Sequence, residues 1–362
     1  MSEKINQVEP NISEQDIQRV SDYMSSGAWI TEHALTGELE EKIAHFVGRK
    51  FAIAVPNGTI AIYLSLLAAG LTEGKRVAVP NITMIATINA ILWAGAEPVI
   101  IDLNERLCMS LKSLHTVDKL DGAIYVPLNG RTEDGLAIEE YCKKRNITLI
   151  EDSAHALGSQ YQDRMCGSLG SMSVFSFTPH KIITMGQGGL VLTDDDSLYE
   201  YLLDLKTFNR SKDKSDWHDG FGLNFKITDL QSALGLSQFE KINEFINIKK
   251  EMFQFFEKSI KKYNFIDFFE YETPWFVDLI CESEEERDGA KAFLWDANIL
   301  TRESYPALSK QSFLQNVEKT NLEVSENISE HILWLPSSTN LTKDQMQEVV
   351  NKITTFCATK EF

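Results

Sequence analysis

The chain has 362 residues and a mass of 41.0 kDa, with 43% hydrophobic and 24% charged residues. That composition excludes disordered and fibrous classes and gives room for about two domains. Thirty-five basic against 53 acidic residues leave a net charge of −18 and an isoelectric point near 4.9. So acidic a surface excludes non-specific binding to DNA, RNA or anionic lipid, and any anionic ligand needs a locally built site.

The five cysteines, Cys108, Cys142, Cys166, Cys281 and Cys357, are odd in number and show no metal-ligand spacing. They point to a reducing compartment and to no metal centre. The start, MSEKINQVEP, lacks a charged-then-apolar signal pattern. The most apolar stretch, Met84 to Ile101, contains Asn89, Gly95, Glu97 and Pro98 and does not suit a bilayer span. A cytoplasmic protein without a membrane segment is expected.

In chain order, an amphipathic helix from Ser13 to Met24 leads through Gly27-Ala28-Trp29 to a helix carrying Leu39, Ile43 and Phe46 at helical spacing. From Phe51 onward the short β-branched runs FAIAVP, RVAVP, EPVIID, AIYVPL, TLIED, SVFSF and GGLVLT alternate with helix-length segments. This is the texture of βαβ units and a largely parallel sheet flanked by helices. A long helical pattern from Thr228 to about Lys262 then joins this part to a smaller α/β unit. That unit holds WFVDLI, an acidic helix from Glu284, HILWLP and a last helix opened by the capping box Thr342-x-x-Gln345. The expected division is a large domain over 1–240, with its N-terminal helical segment, and a small one over 241–362.

Ligands of such sheets sit in loops at the strands' carboxyl ends. After FAIAVP, Asn57-Gly58-Thr59 opens a helix whose free N–H groups can hold an anion. An ordinary Asn helix cap explains the same residues. It is neither a P-loop nor a dinucleotide fingerprint. After TLI, Glu151-Asp152 places carboxylates at the end of a buried strand, where they need a cation or donor. A surface turn is the plain alternative. After SVFSF, Lys181 stands between a buried strand and the return Gly186-Gln187-Gly188-Gly189, where loss of water lowers an amine's pKa toward nucleophilic use. A solvated loop lysine is the alternative there, and for Ser176 a satisfied core hydroxyl. Pyridoxal phosphate asks for this combination: a lysine for its aldehyde, an acid for its pyridinium nitrogen and a cradle for its phosphate.

The stretches EDSAHALGSQY and CGSLGSMSVFSFTPHKIITMGQGGLVLTDD resemble the signature of the DegT/DnrJ/EryC1/StrS aminotransferases. GAWITEHALTGELE, VPNGTIAI, VPLNGR, WHDGFGLNFKITDLQSALGLSQFE, TRESYPAL and LWLPSSTNLT extend the resemblance over most of the chain. The WHD…GLN segment and the KIIT run look most like the GDP-perosamine synthase branch of 4-aminotransferases. The resemblance implies a fold-type-I pyridoxal phosphate enzyme that aminates a nucleotide-linked 4-keto-6-deoxy sugar, with L-glutamate as donor, for surface polysaccharide or a related glycan. It makes Lys181 the cofactor-bound lysine and Asp152 the pyridinium partner. Gly58, Thr59 and Ser176 become phosphate contacts, and His155 lies near the ring hydroxyl. Asn224 reaches the phosphate of a partner subunit, which implies a homodimer with composite sites. Trp29, Arg131, Arg210, His218 and Arg302 are candidates for the sugar nucleotide, because a diphosphate needs cations the net charge does not provide.

Four positions depart from the pattern. Met84 stands where relatives often place an aromatic ring over the cofactor, Gln187 replaces Glu, Lys226 replaces Arg, and Ser309 replaces a His. A dehydratase branch has His in place of the cofactor lysine, and here His180 immediately precedes Lys181. The spacing from Ser176-Phe177 favours Lys181 and transamination. Amination of another keto sugar or a cyclitol, pyridoxal-dependent dehydration, and a regulatory protein retaining the fold are the competing readings.

Overall fold

The computed structural model describes residues 4–359; residues 1–3 and 360–362, the ends of the two expected domains, lie outside the described residues. In chain order the strands are β1 (Phe51–Val55), β2 (Arg76–Pro80), β3 (Glu97–Ile101), β4 (Gly122–Tyr125), β5 (Thr148–Asp152), β6 (Gln160–Tyr161), β7 (Arg164–Met165), β8 (Met172–Ser176), β9 (Gly189–Thr193), β10 (Asn264–Phe265), β11 (Val277–Ile280), β12 (Arg302–Glu303), β13 (Glu318–Lys319) and β14 (Ile332–Leu335). Eight form one sheet in the order β1-β9-β8-β5-β4-β2-β3-β13. All its pairings are parallel except those of β9, which runs antiparallel to both neighbours. The sheet's long strands are buried along nearly their whole length. Continuous apolar runs are what a sheet covered on both faces requires.

A four-stranded antiparallel sheet, β10-β11-β14-β12, draws all its strands from the chain after residue 241. Its own core joins Met252, Phe256, Leu279, Leu294, Leu333, Val349 and Ile353. From the same stretch, β13 returns to the edge of the large sheet beside β3. The β6–β7 hairpin and the two-residue strands β10, β12 and β13 are too short to carry an alternation that sequence could reveal.

The periodicity from Thr228 to Lys262 predicts one helix, and the structure divides it into Asp229–Phe239 and Ile242–Ser259. Lys241 leaves helical geometry at φ −100°, ψ 4°. Its amine reaches Asp16 at 2.6 Å, and Gln238 donates to the same carboxylate at 2.9 Å. The apolar spacing survives the break because each half buries its stripe against a different core: Leu236 under the large sheet, Met252, Phe256 and Ile260 against the small one. The Thr342–Gln345 capping box forms as expected, with hydrogen bonds of 3.0 and 3.2 Å. No helix among the described residues is long and apolar enough to cross a membrane.

Candidate active site

The carboxyl ends of β1, β8 and β5 meet on one edge of the large sheet, where Val55, Gly189 and Ser176 stand in register. A cavity of about 300 Å³ opens there. Asn57, Gly58, Thr59, Asp152, His155, Ser176 and Lys181 line it, with Met84, Trp275, Arg302 and Tyr305 from other segments.

The loop after β1 does both things its sequence allows. Asn57 caps the helix Gly58–Ala68, its side chain accepting from the Ile60 N–H at 3.0 Å, while its carbonyl takes the Ala61 N–H. Among the described residues the N–H groups of Gly58 and Thr59 then have no partner, so the helix start presents two donors and the positive end of its dipole to the cavity. A Cβ at Gly58 would stand 2.9 Å from Ser176 Cβ, and one at Gly189 would stand 2.5 Å from the Asn57 carbonyl carbon. These two glycines bring the helix start against the ends of β8 and β9.

At the end of β5 the two carboxylates separate by strand alternation. Glu151 turns away from the cavity and is met by Tyr161 and the N–H groups of Gly167 and Leu169 at 2.9, 2.7 and 2.8 Å. Asp152 turns toward it and accepts from the Thr87 hydroxyl at 2.8 Å and the Ala154 N–H at 3.3 Å. Burial pushes the Asp152 carboxyl above its ordinary range, against the pull of Thr87, the Lys181 charge and the Ala154 N–H. It is a buried acid held short of full compensation, which a cationic ring N–H would supply.

Lys181 is half-buried, and loss of water lowers its amine to about 7, opposed by the charge of Asp152 and reinforced by Arg302. A lysine at that value is a usable base and nucleophile. His180 also lines the cavity but is exposed, and its carbonyl accepts from the Trp275 indole N–H at 2.8 Å. His155 is buried and stacked on Trp275 with centroids 4.0 Å apart. Burial first, then the charges of Lys181 and Arg302, hold it well below its usual pKa and favour the neutral ring. Its Nδ1 is buried with no hydrogen-bond partner among the described residues, a donor or acceptor waiting for a ligand. Two free helix N–H groups beside a serine hydroxyl, a buried acid, a lowered lysine amine and an unpartnered imidazole nitrogen fit the phosphate, ring nitrogen, aldehyde and ring hydroxyl of pyridoxal phosphate.

Of the expected substrate contacts, only Arg302 lines this cavity. It is exposed, lies near the rings of Tyr305 and Trp334, and has no ion pair among the described residues. Arg131 is a correction: it is 0% exposed, paired with Asp278 at 2.5 Å and stacked on Phe268 at 4.0 Å. The buried charge of Asp278 claims it for the packing between the two sheets. Trp29, Arg210, His218 and Asn224 also stand outside the cavity of their own chain, on the exposed segments 26–33 and 207–226. The backbones of Arg210 and His218 pair there as an isolated antiparallel bridge, and Asn224 accepts from Lys226 at 2.7 Å. Met84 does line the cavity, its sulfur accepting from the Ala86 N–H at 3.0 Å. Ser309 is turned away from it, donating to Glu326 and fixed by Asn81. Sequence reasoning passed over Thr87, Trp275 and Tyr305. Thr87 and Trp275 lie inside apolar runs that read as core, whereas Tyr305, in TRESYPAL, carried a motif but no chemistry of its own.

This fold, with a lysine and an acid meeting a helix N-terminus at the strand ends, defines a pyridoxal phosphate-dependent aminotransferase. The model of the DegT/DnrJ/EryC1/StrS aminotransferase family matches residues 10–354, and the chain belongs to that family. It is 32% identical to the GDP-perosamine synthase of Escherichia coli O157:H7, covering 97% of this chain and 98% of the relative. It is 30% identical to the GDP-perosamine synthase of Vibrio cholerae over 95% and 97% of the two chains. Among solved structures, Spr1654 of Streptococcus pneumoniae in its PLP-form superposes with a TM-score of 0.92 at 23% identity, covering 99% of both chains. That likeness places the fold.

Proposed function

We propose that this aminotransferase moves the amino group of L-glutamate to the keto carbon of a nucleotide-linked 4-keto-6-deoxy sugar, in the cytoplasm, for surface polysaccharide or a related glycan. The observation that carries this reading is the likeness, over nearly the whole chain, to two GDP-perosamine synthases. Pyridoxal phosphate, when bound, supplies the electron sink for the carbanion left at the donor's α-carbon.

The remaining work belongs to the chain. Gly58, Thr59 and Ser176 would hold the phosphate, and Asp152 would keep the ring nitrogen protonated. His155 would stand beside the ring and meet its hydroxyl. Lys181 would hold the cofactor at its aldehyde carbon. Its amine, when free, would move the proton at the donor α-carbon, as base and then acid. An amine lowered to about 7 serves both directions. Met84, in the cavity lining, would offer the ring a thioether where relatives use an aromatic, a softer surface. Arg302 is the cation inside the cavity for a carboxylate or diphosphate.

Trp29, Arg210, His218 and Asn224 are assigned to the cavity of a second copy. Support comes from the apolar rings beside them: Trp29 is 67%, Trp217 54% and Phe221 74% exposed, which suits a face that another chain covers.

The test is product analysis, by mass spectrometry and NMR, from a panel of nucleotide-linked keto sugars with and without L-glutamate. The reading expects amination at C4 with one glutamate consumed per product. A nitrogen-free product formed without glutamate would establish elimination instead, and amination of a keto-cyclitol alone would overturn the sugar assignment.

A further inference from the structure

We propose that Trp275 is a positioning residue for the amino-transfer chemistry, fixing Lys181 and His155 against each other from the far side of the cavity, and that Lys249 holds it there. Trp275 lies two residues before β11, in the segment that leads into the second sheet and not in a loop of the large sheet. Every polar group it has is tethered. Its N–H donates to the Asn129 carbonyl at 3.1 Å, and its indole N–H donates to the His180 carbonyl at 2.8 Å. Its own carbonyl accepts from the Lys249 amine at 2.7 Å. The ring is clamped as well, stacked on Phe276 at 3.8 Å between centroids and crossed by Trp334 at 6.1 Å.

The plane held in this way touches both working groups. His155 stacks on it at 4.0 Å with an interplanar angle of 25°, and the Lys181 amine stands 4.3 Å from its centroid. The bond to the His180 carbonyl acts on the residue immediately before Lys181, so the indole sets where the lysine's backbone starts as well as what its amine faces. An apolar ring keeps water from the neutral amine, and its π-face accepts the ammonium formed when that amine takes a proton. Lys249 has no carboxylate within reach among the described residues. It is buried between the Trp275 and Ser337 carbonyls, with the Phe276 ring 5.9 Å away. A buried lysine spent on two backbone carbonyls is costly unless the segment it pins matters.

The experiment compares the cofactor-loaded full-length protein with Trp275→Phe, Trp275→Leu and Lys249→Met. Visible circular dichroism of the bound cofactor reads its asymmetric surroundings without turnover. Stopped-flow absorbance reads the conversion of the cofactor on mixing with L-glutamate. Trp275→Phe keeps an apolar ring but loses the tether to His180. It is expected to alter the cofactor dichroism and slow conversion at saturating L-glutamate tenfold or more, with half-saturation within about twofold of the parent. Lys249→Met is expected to move both readouts in the same direction by threefold or more. Unchanged dichroism and conversion within twofold in the Trp275 variants, whatever their melting temperature, would overturn the proposal. Should the parent itself not respond to L-glutamate, the donor assignment fails, and the dichroism of the variants still decides the role of Trp275.

Discussion

At the scale of single residues, two lysines are shifted alike and differ in use. Burial lowers both Lys181 and Lys249 to about 7 from the 10.5 of the unfolded chain. Between those values the unfolded chain binds protons that the folded chain does not, so the stability of the cofactor-free protein rises as pH goes from about 7 toward 10.5. Lys249→Met removes one of the two contributions, and chemical denaturation across that window should show a shallower rise. An unchanged slope would contradict the burial argument for Lys249. Asp152→Asn removes the charge proposed to hold the ring proton. It is expected to slow amino transfer about 10²–10⁴-fold, in the range of a lost acid–base partner, with the thermal midpoint little changed. Steady-state rates beside a melting curve check it.

At the scale of elements, the site is a meeting of strand ends, and this much is legible in the residues. The seven apolar runs mark the strands β1 to β5, β8 and β9, and the loops that follow β1, β5 and β8 carry the polar residues singled out. The tight approach of the helix start to β8 is written only in Gly58, and its reason needs coordinates: a Cβ there meets Ser176. Gly58→Ala is therefore expected to weaken cofactor affinity tenfold or more in equilibrium dialysis while leaving the fold intact. Affinity within twofold would show that the helix start does not hold the phosphate. Other features were illegible for physical reasons. A helical stripe continues unbroken from Thr228 to Ile260 although the backbone turns at Lys241, because its partner Asp16 is 225 residues away in sequence. Arg131 reads as a surface cation for a diphosphate until its partner Asp278, 147 positions later, folds onto it. Trp275 reads as a core aromatic, and it is one; only its neighbours reveal the cavity.

At the scale of the whole molecule, residues 1–240 and 241–362, which we propose as a large and a small domain, are joined by a buried polar joint. Arg131 pairs with Asp278, Asn129 donates to the Asp278 carboxylate at 2.8 Å and to the Phe276 carbonyl at 2.9 Å, and the Trp334 indole donates to Asp278 at 2.6 Å. Breaking such a pair strands a buried charge, so Arg131→Met should cost about 3–5 kcal/mol in urea denaturation. The half-saturating sugar nucleotide concentration should stay near the parent value, as expected for a residue that never meets substrate. The net charge of −18 belongs to this scale also. It keeps polyanions away, while two helix N–H groups, one lysine and Arg302 form a local exception that can accept small anions at contact range.

The most direct test of the site is borohydride reduction of the cofactor-loaded protein followed by peptide mapping by mass spectrometry. With two lysines lowered to about 7, the chemistry of the amine alone does not choose between them; position does. The reduced cofactor should be found on the peptide containing Lys181 and nowhere else. Attachment at Lys249, or no covalent adduct at all, would contradict the assignment.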